Sequence, residues 1–199
     1  RLHVVAVPIG NPGDITRRAV DALRSADVVL CEERREGSTL LKRLGLVKEL
    51  RLINEHCERG AVAGIVEELR QGKIFALISD CGTPVFSDPG HELIRAAAAA
   101  GVRVTTAPGP SSLMAALSLC DFKIERFIYD GFLPRRPEER RRRLEQLRGA
   151  GMPVALMDTP YRMTDLLEDV GRVFGPNRRV ILARDLTMPS EMVHRGPVA

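Results

Sequence analysis

Two hydrophobic periods alternate along the chain. Residues 2–7 (LHVVAV) are a short β-branched run closed by a Pro-Gly turn, which predicts a buried strand. From Thr16 to Ser25 the period changes, and Ala19, Val20, Leu23 and Ala26 share one face of a helix. The alternation then repeats. Strands are predicted over 26–32, 73–79 and 102–108, with a weaker one over 50–54. Helices are predicted over 38–44, 60–71, 89–100 and 110–119, the second and third ended by Gly72 and Gly101.

This order predicts an α/β fold with a mainly parallel sheet. Such sheets take ligands at the carboxyl ends of their strands. Those ends carry the segments richest in Gly, Pro and Asp: 8–14, 80–90 and 108–112. Past residue 120 the pattern changes. Strands are predicted over 127–133, 152–158 and 177–187, a charged loop and helix around 134–149, and a helix over 161–174 with Met163, Leu166, Leu167 and Val170 on one face. The residues from 191 can begin a further strand. The expectation is an N-terminal α/β domain over 1–121 and a C-terminal one over 122–199. The second is expected to be built on a mixed sheet whose last element is cut short. No internal repeat or low-complexity linker separates them.

Composition narrows the class. The 199 residues are 44% hydrophobic and 28% charged, enough for a core and a solvated surface, which argues against a disordered chain. No apolar run approaches membrane-spanning length, and the opening RLHVVAVPIG lacks the pattern of a secretion signal. Cys31, Cys57, Cys81 and Cys120 form no CxxC pair, so the expectation is buried, reduced thiols in a cytoplasmic protein, with no metal site. The net charge of +4 is mild, but Arg135–Arg143 holds six arginines in nine positions. A solvated helix face is the default reading, but Arg140–Arg143 circle a helix turn and four like charges repel unless something anionic meets them, which makes RNA phosphate a reasonable partner. With six Phe, two Tyr and no Trp, a base-stacking platform is not expected.

Six segments could carry chemistry. Pro8–Asp14 (PIGNPGD) has GxxG rather than the dinucleotide spacing, and taken alone it reads as a plain strand-to-helix turn with Asp14, or Thr16 just after it, as the helix cap. Ser79–Gly90 (SDCGTPVFSDPG) is long and follows a buried strand, which favours ligand binding, although Asp88 can cap the helix after it. Pro108–Ser112 (PGPSS) opens a helix, and its amides and hydroxyls suit either capping or an anionic group. Glu32-Glu33-Arg34-Arg35 can orient a substrate or stand as a solvated charge cluster. Asn54-Glu55-His56 offers one histidine able to take a proton. The arginine cluster is the sixth.

Taken in order, VPIGNPGDIT, CEERR, NEH, SDCGTPVFSDPG, PGPSS, DGFLPRR, DTPYR and ARDLT resemble the ribosomal RNA small-subunit methyltransferase I family, of the tetrapyrrole methylase superfamily of S-adenosylmethionine-dependent enzymes. The resemblance runs through nearly the whole chain. It implies the two-domain class III methyltransferase fold with the methyl donor in the cleft between domains, a homodimer, and 2′-O-methylation of a cytidine in small-subunit ribosomal RNA. By position it implies a donor pocket of Pro8, Gly10, Asp80, Cys81, Gly82, Thr83 and Pro84, with Ser87, Ser111 and Ser112 nearby and Met157, Thr159 and Pro160 from the second domain. The chain departs from the family's usual EDTR at Glu32–Arg35, from SPHR or STHR at Thr159–Arg162, from alanine at Cys81, and from RELT at Arg184–Thr187.

A ribose hydroxyl is weakly acidic and needs a base or late proton loss. The candidates are Glu32, Glu33 and His56, with Arg35 and Arg162 holding phosphates, and Arg135, Arg136, Arg140, Arg141, Arg142 and Arg143 gripping the RNA. The chemistry needs no metal. A tetrapyrrole or other small-molecule acceptor, and a non-catalytic donor- or RNA-binding relative, are the alternatives.

Overall fold

The computed structural model describes residues 1–53, 58–86 and 88–198, and within these the side chains of residues 58 and 59 are not described. Asn54, Glu55, His56, Cys57 and Ser87 therefore lie outside the described residues. The chain forms two compact units, Arg1–Met114 and Ala115–Ala199; the composition change had suggested a break after residue 121.

In the first unit, β1 (Leu2–Val5), β2 (Val28–Cys31), β3 (Glu49–Leu52), β4 (Phe75–Leu77) and β5 (Val104–Ala107) form one sheet in the order β3-β2-β4-β1-β5. Every pairing is parallel. The helices are α1 (Arg17–Ser25), α2 (Arg34–Arg43), α3 (Glu58–Arg70), α4 (His91–Ala99) and α5 (Ser112–Ser118), which runs into the second unit. Successive strand residues point to opposite faces, and the core divides accordingly. Val5, Val29, Cys31, Ala76 and Ile78 pack with Ala19, Leu23 and Leu41 of α1 and α2. Leu2, Val28, Leu30, Phe75 and Leu77 pack with Ile65, Leu69, Leu93 and Ala97 of α3 and α4. Helices thus cover both faces. Burial of the Val, Leu, Ile and Phe side chains among these contributes roughly 1.5–3 kcal/mol each relative to exposure.

The helix α2 begins four residues before the 38–44 expectation. Gly37, a poor helix former, obscures the start. A Cβ there would meet the Cys31 Sγ at 3.0 Å, so the close approach of α2 to β2 requires glycine.

The second unit contains β6 (Ile128–Phe132), α6 (Pro137–Gly149), β7 (Val154–Met157), α7 (Met163–Phe174), β8 (Arg179–Arg184) and β9 (Met192–Pro197). Parallel and antiparallel pairing both occur, but as separate pairs: β6 with β7 parallel, β8 with β9 antiparallel. Leu144 and Leu147 of α6 pack with Leu166, Val170 and Val173 of α7, and with Ile128, Val154 and Leu156 of the parallel pair. Among the described residues no helix is long and apolar enough to cross a membrane.

Candidate functional site

The strands β1 and β4 lie side by side, yet the chain leaves β1 for α1 on one face and β4 for α4 on the other. Outside the carboxyl ends of such a pair, diverging backbones leave a crevice. The loops that meet there are the Gly-, Pro- and Asp-rich ones. The Val7 N–H donates to the Gly82 carbonyl at 2.8 Å, and the Thr83 hydroxyl to the Pro110 carbonyl at 3.0 Å. The Cys81 thiol lies 3.6 Å from the Ile9 carbonyl. Gly82 has a φ of +81°, and a Cβ on it would sit 3.2 Å from the Ile9 side chain. The segments carrying Pro8 and Gly10, Asp80 to Pro84, and Ser111 are thereby drawn to one edge.

The end of β2 joins them. Asp80 Oδ1 accepts the Glu33 N–H at 3.1 Å, which fixes the first turn of α2 against the loop after β4. Glu32 is half-buried beside it, while Glu33, Arg34 and Arg35 are exposed. Burial pushes the Asp80 carboxyl up, aided by the charges of Glu33 and Glu36 and opposed by the Glu33 N–H. Burial also pushes Asp88 up, with the Asp80 charge adding to it, against a hydrogen bond from the Ser79 hydroxyl. This edge is therefore acidic and partly desolvated, an environment that favours a cationic ligand.

Asp88 does not cap α4: the residue before that helix is Gly90, without a side-chain cap. Thr16 does cap α1, accepting the Ala19 N–H at 3.1 Å. The alternative cap, Asp14, keeps a buried Oδ2 with no hydrogen-bond partner. Ser111 accepts the Met114 N–H at 3.5 Å, and Ser112 is the first residue of α5. Val85, β-branched, has a φ of 74°, a strained conformation held within the same loop. Cys81 is exposed rather than buried as expected, because its loop lies at the sheet edge; Cys31 is buried, and its thiol is pushed up to about 11, chiefly by burial.

The second unit holds the remaining candidates. Met157 ends β7 and contacts the Tyr129 hydroxyl at 3.0 Å. Thr159 and Pro160 form the turn that follows, and Tyr161 is 79% exposed. Arg162 turns inward: its Nε lies 3.2 Å from Asp158 Oδ1, and its Nη2 donates to the Leu133 carbonyl at 2.8 Å. Its cation is taken up by a neighbouring carboxylate, so it is not poised as a free phosphate holder.

The arginine cluster likewise divides. Arg140 is buried, paired with the buried Asp169 at 2.7 Å, because position 140 falls on the same stripe of α6 as Leu144 and Leu147. The expectation of four arginines ringing a solvated turn is corrected there. Arg141 lies 3.4 Å from the same Asp169, and Arg143 pairs with Asp130. Arg135, Arg136 and Arg142 are exposed, Arg136 reaching Glu139 at 3.4 Å. Sequence reading missed Asp158, Asp169 and the Asp80–Glu33 tie. The spacing of Leu166, Asp169, Val170 and Val173 on α7 was the available signal for Asp169.

The profile of the family described as Tetrapyrrole (Corrin/Porphyrin) Methylases matches residues 1–199. The chain is 41% identical over 198 residues to a protein of Xylella fastidiosa (strain Temecula1) named ribosomal RNA small subunit methyltransferase I, covering 100% of this chain and 72% of that one. It is 37% identical to the Escherichia coli O157:H7 protein of the same name, covering 100% of this chain and 69% of the relative. In fold it resembles a crystal structure of diphthine synthase, with a TM-score of 0.76, 14% identity and coverage of 100% and 82% of the two chains. It also resembles uroporphyrin-III-C-methyltransferase from Thermus thermophilus, with a TM-score of 0.66, 22% identity and coverage of 99% and 84%.

Proposed function

The chain belongs to the tetrapyrrole methylase family, in its ribosomal RNA small subunit methyltransferase I group, and on that basis we propose that it methylates the 2′-oxygen of a cytidine ribose in small-subunit ribosomal RNA, using S-adenosylmethionine. The observation that carries this reading is identity of 35–41% to relatives of that name along essentially the whole chain. The proposal includes a cytoplasmic homodimer.

The residues at the sheet edge suit the donor. Asp80, Asp88 and Glu33 supply negative charge for a ligand that carries a sulfonium and an ammonium group. The bare backbone at Gly82 permits close approach, and the unpartnered Asp14 Oδ2 can accept a hydrogen bond. Pro8, Gly10, Cys81, Thr83, Pro84, Ser87, Ser111 and Ser112 complete the first unit's share, and Met157, Thr159 and Pro160 give the second unit's. Bound S-adenosylmethionine supplies an electrophilic methyl carbon.

The chain's own part is to align the ribose oxygen with that carbon, and alignment can supply much of the rate. Glu32 and Glu33 are the bases proposed to take the hydroxyl proton. The Asp80 bond holds the Glu33 backbone against the donor loop. His56 is the alternative base. Arg35, exposed on the first turn of α2, is proposed to meet phosphate, and Arg162 to hold its turn. Arg135, Arg136, Arg142 and the exposed sides of Arg141 and Arg143 are proposed to meet the RNA backbone.

The test is methyl transfer from labelled S-adenosylmethionine to small ribosomal subunits from cells lacking this modification, with nuclease digestion to locate the label. Label on a cytidine 2′-oxygen supports the reading. Donor binding without transfer to those subunits overturns the ribosomal acceptor.

A further inference from the structure

At the amino ends of its strands the first unit carries a second group of arginines. Arg1 precedes β1, Arg103 precedes β5, and Arg70 ends α3. The backbone sets the first two at one level. The Leu2 N–H donates to the Arg103 carbonyl at 3.0 Å, and the Phe75 N–H to the Arg1 carbonyl at 2.9 Å. The three arginines line an open cleft of about 410 Å³, walled by Leu69 and Val102, with no acidic residue lining it among the described residues. All three are exposed. The side chains of Arg1 and Arg103 form no ion pair among the described residues, and Arg70 approaches Glu67 only at 3.9 Å. The field of these cations reaches His3, whose imidazole is pushed below its ordinary value by burial first and then by the charges of Arg1, the chain's amino group and Arg103.

Helix ends attract cations and leave carbonyls to be satisfied. Here the backbone already satisfies them. After α3, the Gly72 and Lys73 N–H groups donate to the Leu69 and Glu68 carbonyls at 3.2 and 3.1 Å. After α4, the Gly101 and Val102 N–H groups donate to the Ala98 and Ala97 carbonyls at 3.0 and 2.9 Å. Gly72 and Gly101 supply the positive φ that such endings use. The guanidinium groups are therefore not needed as caps.

A cleft lined by one sign of charge concentrates the opposite sign. A guanidinium only donates, and its planar fork matches phosphate. The lining has no aromatic ring and no side-chain amide or hydroxyl, so nothing in it reads a base. That combination suits the backbone of a nucleic acid better than a free nucleotide. We infer that Arg1, Arg70 and Arg103 form a second RNA contact, holding phosphodiester groups at the edge of the sheet opposite the loops of Asp80 and Gly82. This inference rests on the proposed function, whose acceptor is a large folded RNA that can present backbone to more than one side of the enzyme. The four residues of β1 separate the two edges by roughly 13 Å, so the contact acts on binding and not on the methyl transfer itself.

Arg70→Gln, Arg103→Gln and a triple variant that adds Arg1→Gln are compared with the unaltered chain. The measurements are binding of small-subunit RNA across a salt series, the thermal midpoint, and methyl transfer to small subunits. Losing three phosphate contacts should lower the slope of log affinity against log salt by about 2–3. It should raise the KM for subunits and leave kcat, donor affinity and the midpoint unchanged. Arg103→Lys keeps the cation and should keep most of the slope. The single variants, each expected to lose about one contact, give the same answer if the triple variant does not fold. An unchanged slope in the folded variants overturns the inference. A lowered midpoint with the slope intact assigns the arginines to the fold and also overturns it. If inorganic phosphate binds the unaltered chain but not the triple variant while the RNA slope stays the same, the cleft takes a small anion and the RNA contact is overturned. In all three cases methyl transfer by the unaltered chain still stands. An unaltered protein that neither binds small-subunit RNA nor methylates subunits overturns both.

Discussion

Arg140 Nε donates to Asp169 Oδ2 at 2.7 Å, joining α6 to α7 through two side chains that are 5% and 2% exposed. A buried pair of this kind is sensitive to loss of one partner, because the other is left charged and desolvated. Arg140→Ala is expected to cost about 3 kcal/mol, the low end of the range for buried pairs, since Arg141 and Arg172 still reach Asp169 at 3.4 and 3.5 Å. Replacing both partners by apolar residues of similar volume should cost less. Urea denaturation of the single and double variants measures the difference.

The same division sorts the cluster by its effect on RNA. Each phosphate contact contributes about 0.7–0.9 to the slope of log affinity against log salt. Arg142→Ala should lower that slope by roughly one contact and leave stability within about 0.5 kcal/mol. Arg140→Met should leave the slope unchanged in the folded protein. Binding of small-subunit RNA across a salt series compares the two.

Gly90 has a φ of +119°, and a Cβ there would lie 2.6 Å from Leu77 Cδ2 in the core. Both the conformation and the space exclude a side chain. Gly90→Ala should destabilise by about 2 kcal/mol, read as a lowered denaturation midpoint.

Two carboxyl groups predict opposite pH dependence. Hydrogen bonds from Arg51 and then Lys73 hold the Glu68 carboxyl down at about 2 against an ordinary value near 4.5. In that window the unfolded chain binds more protons, so stability rises with pH and is lost on acidification through the folded value. Glu68→Gln should flatten this acid limb. Asp88 is pushed up by burial, so its charged form disfavours the fold above its folded value, and acidification through that value relieves the penalty. Asp88→Asn should therefore stabilise at neutral pH and make little difference in acid. Denaturation at pH 2 to 7 tests both signs.

Cys81 is exposed and Cys31 buried, so alkylating reagents should modify Cys81 before Cys31. Although the residue is exposed, partial desolvation of its sulfur within the loop and the nearby Asp88 and Asp80 charges push the Cys81 thiol up, so its rate should climb steeply above neutral pH. On the proposed function, S-adenosylmethionine should protect it. Peptide mass spectrometry after timed alkylation gives the order and the protection.

Much of the fold was readable because strand burial alternates. Phe75 and Leu77 face one helix pair, Ala76 and Ile78 the other, and the short β-branched runs announce this. The early start of α2 was hidden because Gly37 looks like a breaker until its contact with Cys31 is seen. Arg140 was misleading for another reason. It shares the stripe of Leu144 and Leu147, but a run of arginines reads as surface unless that spacing outweighs charge. The candidate loops of the first unit were recognisable from composition, whereas the Asp80–Glu33 bond joins residues 47 apart and follows from strand order alone. Unpartnered atoms such as Asp14 Oδ2 are invisible to periodicity, since they depend on what does not reach them.

The place of β4 between β1 and β2 has a consequence for synthesis. Neither of the first two strands can hydrogen-bond to the other, so β1 gains its first neighbour only when Phe75–Leu77 has left the ribosome, and its second when Val104–Ala107 follows. Until then the apolar LHVVAV segment has no sheet to join. The nascent chain must keep it from mispairing for more than seventy residues of elongation, about 4–15 s at ordinary rates. Slowing translation ahead of β4 should therefore increase aggregation, whereas slowing it after β5 should not.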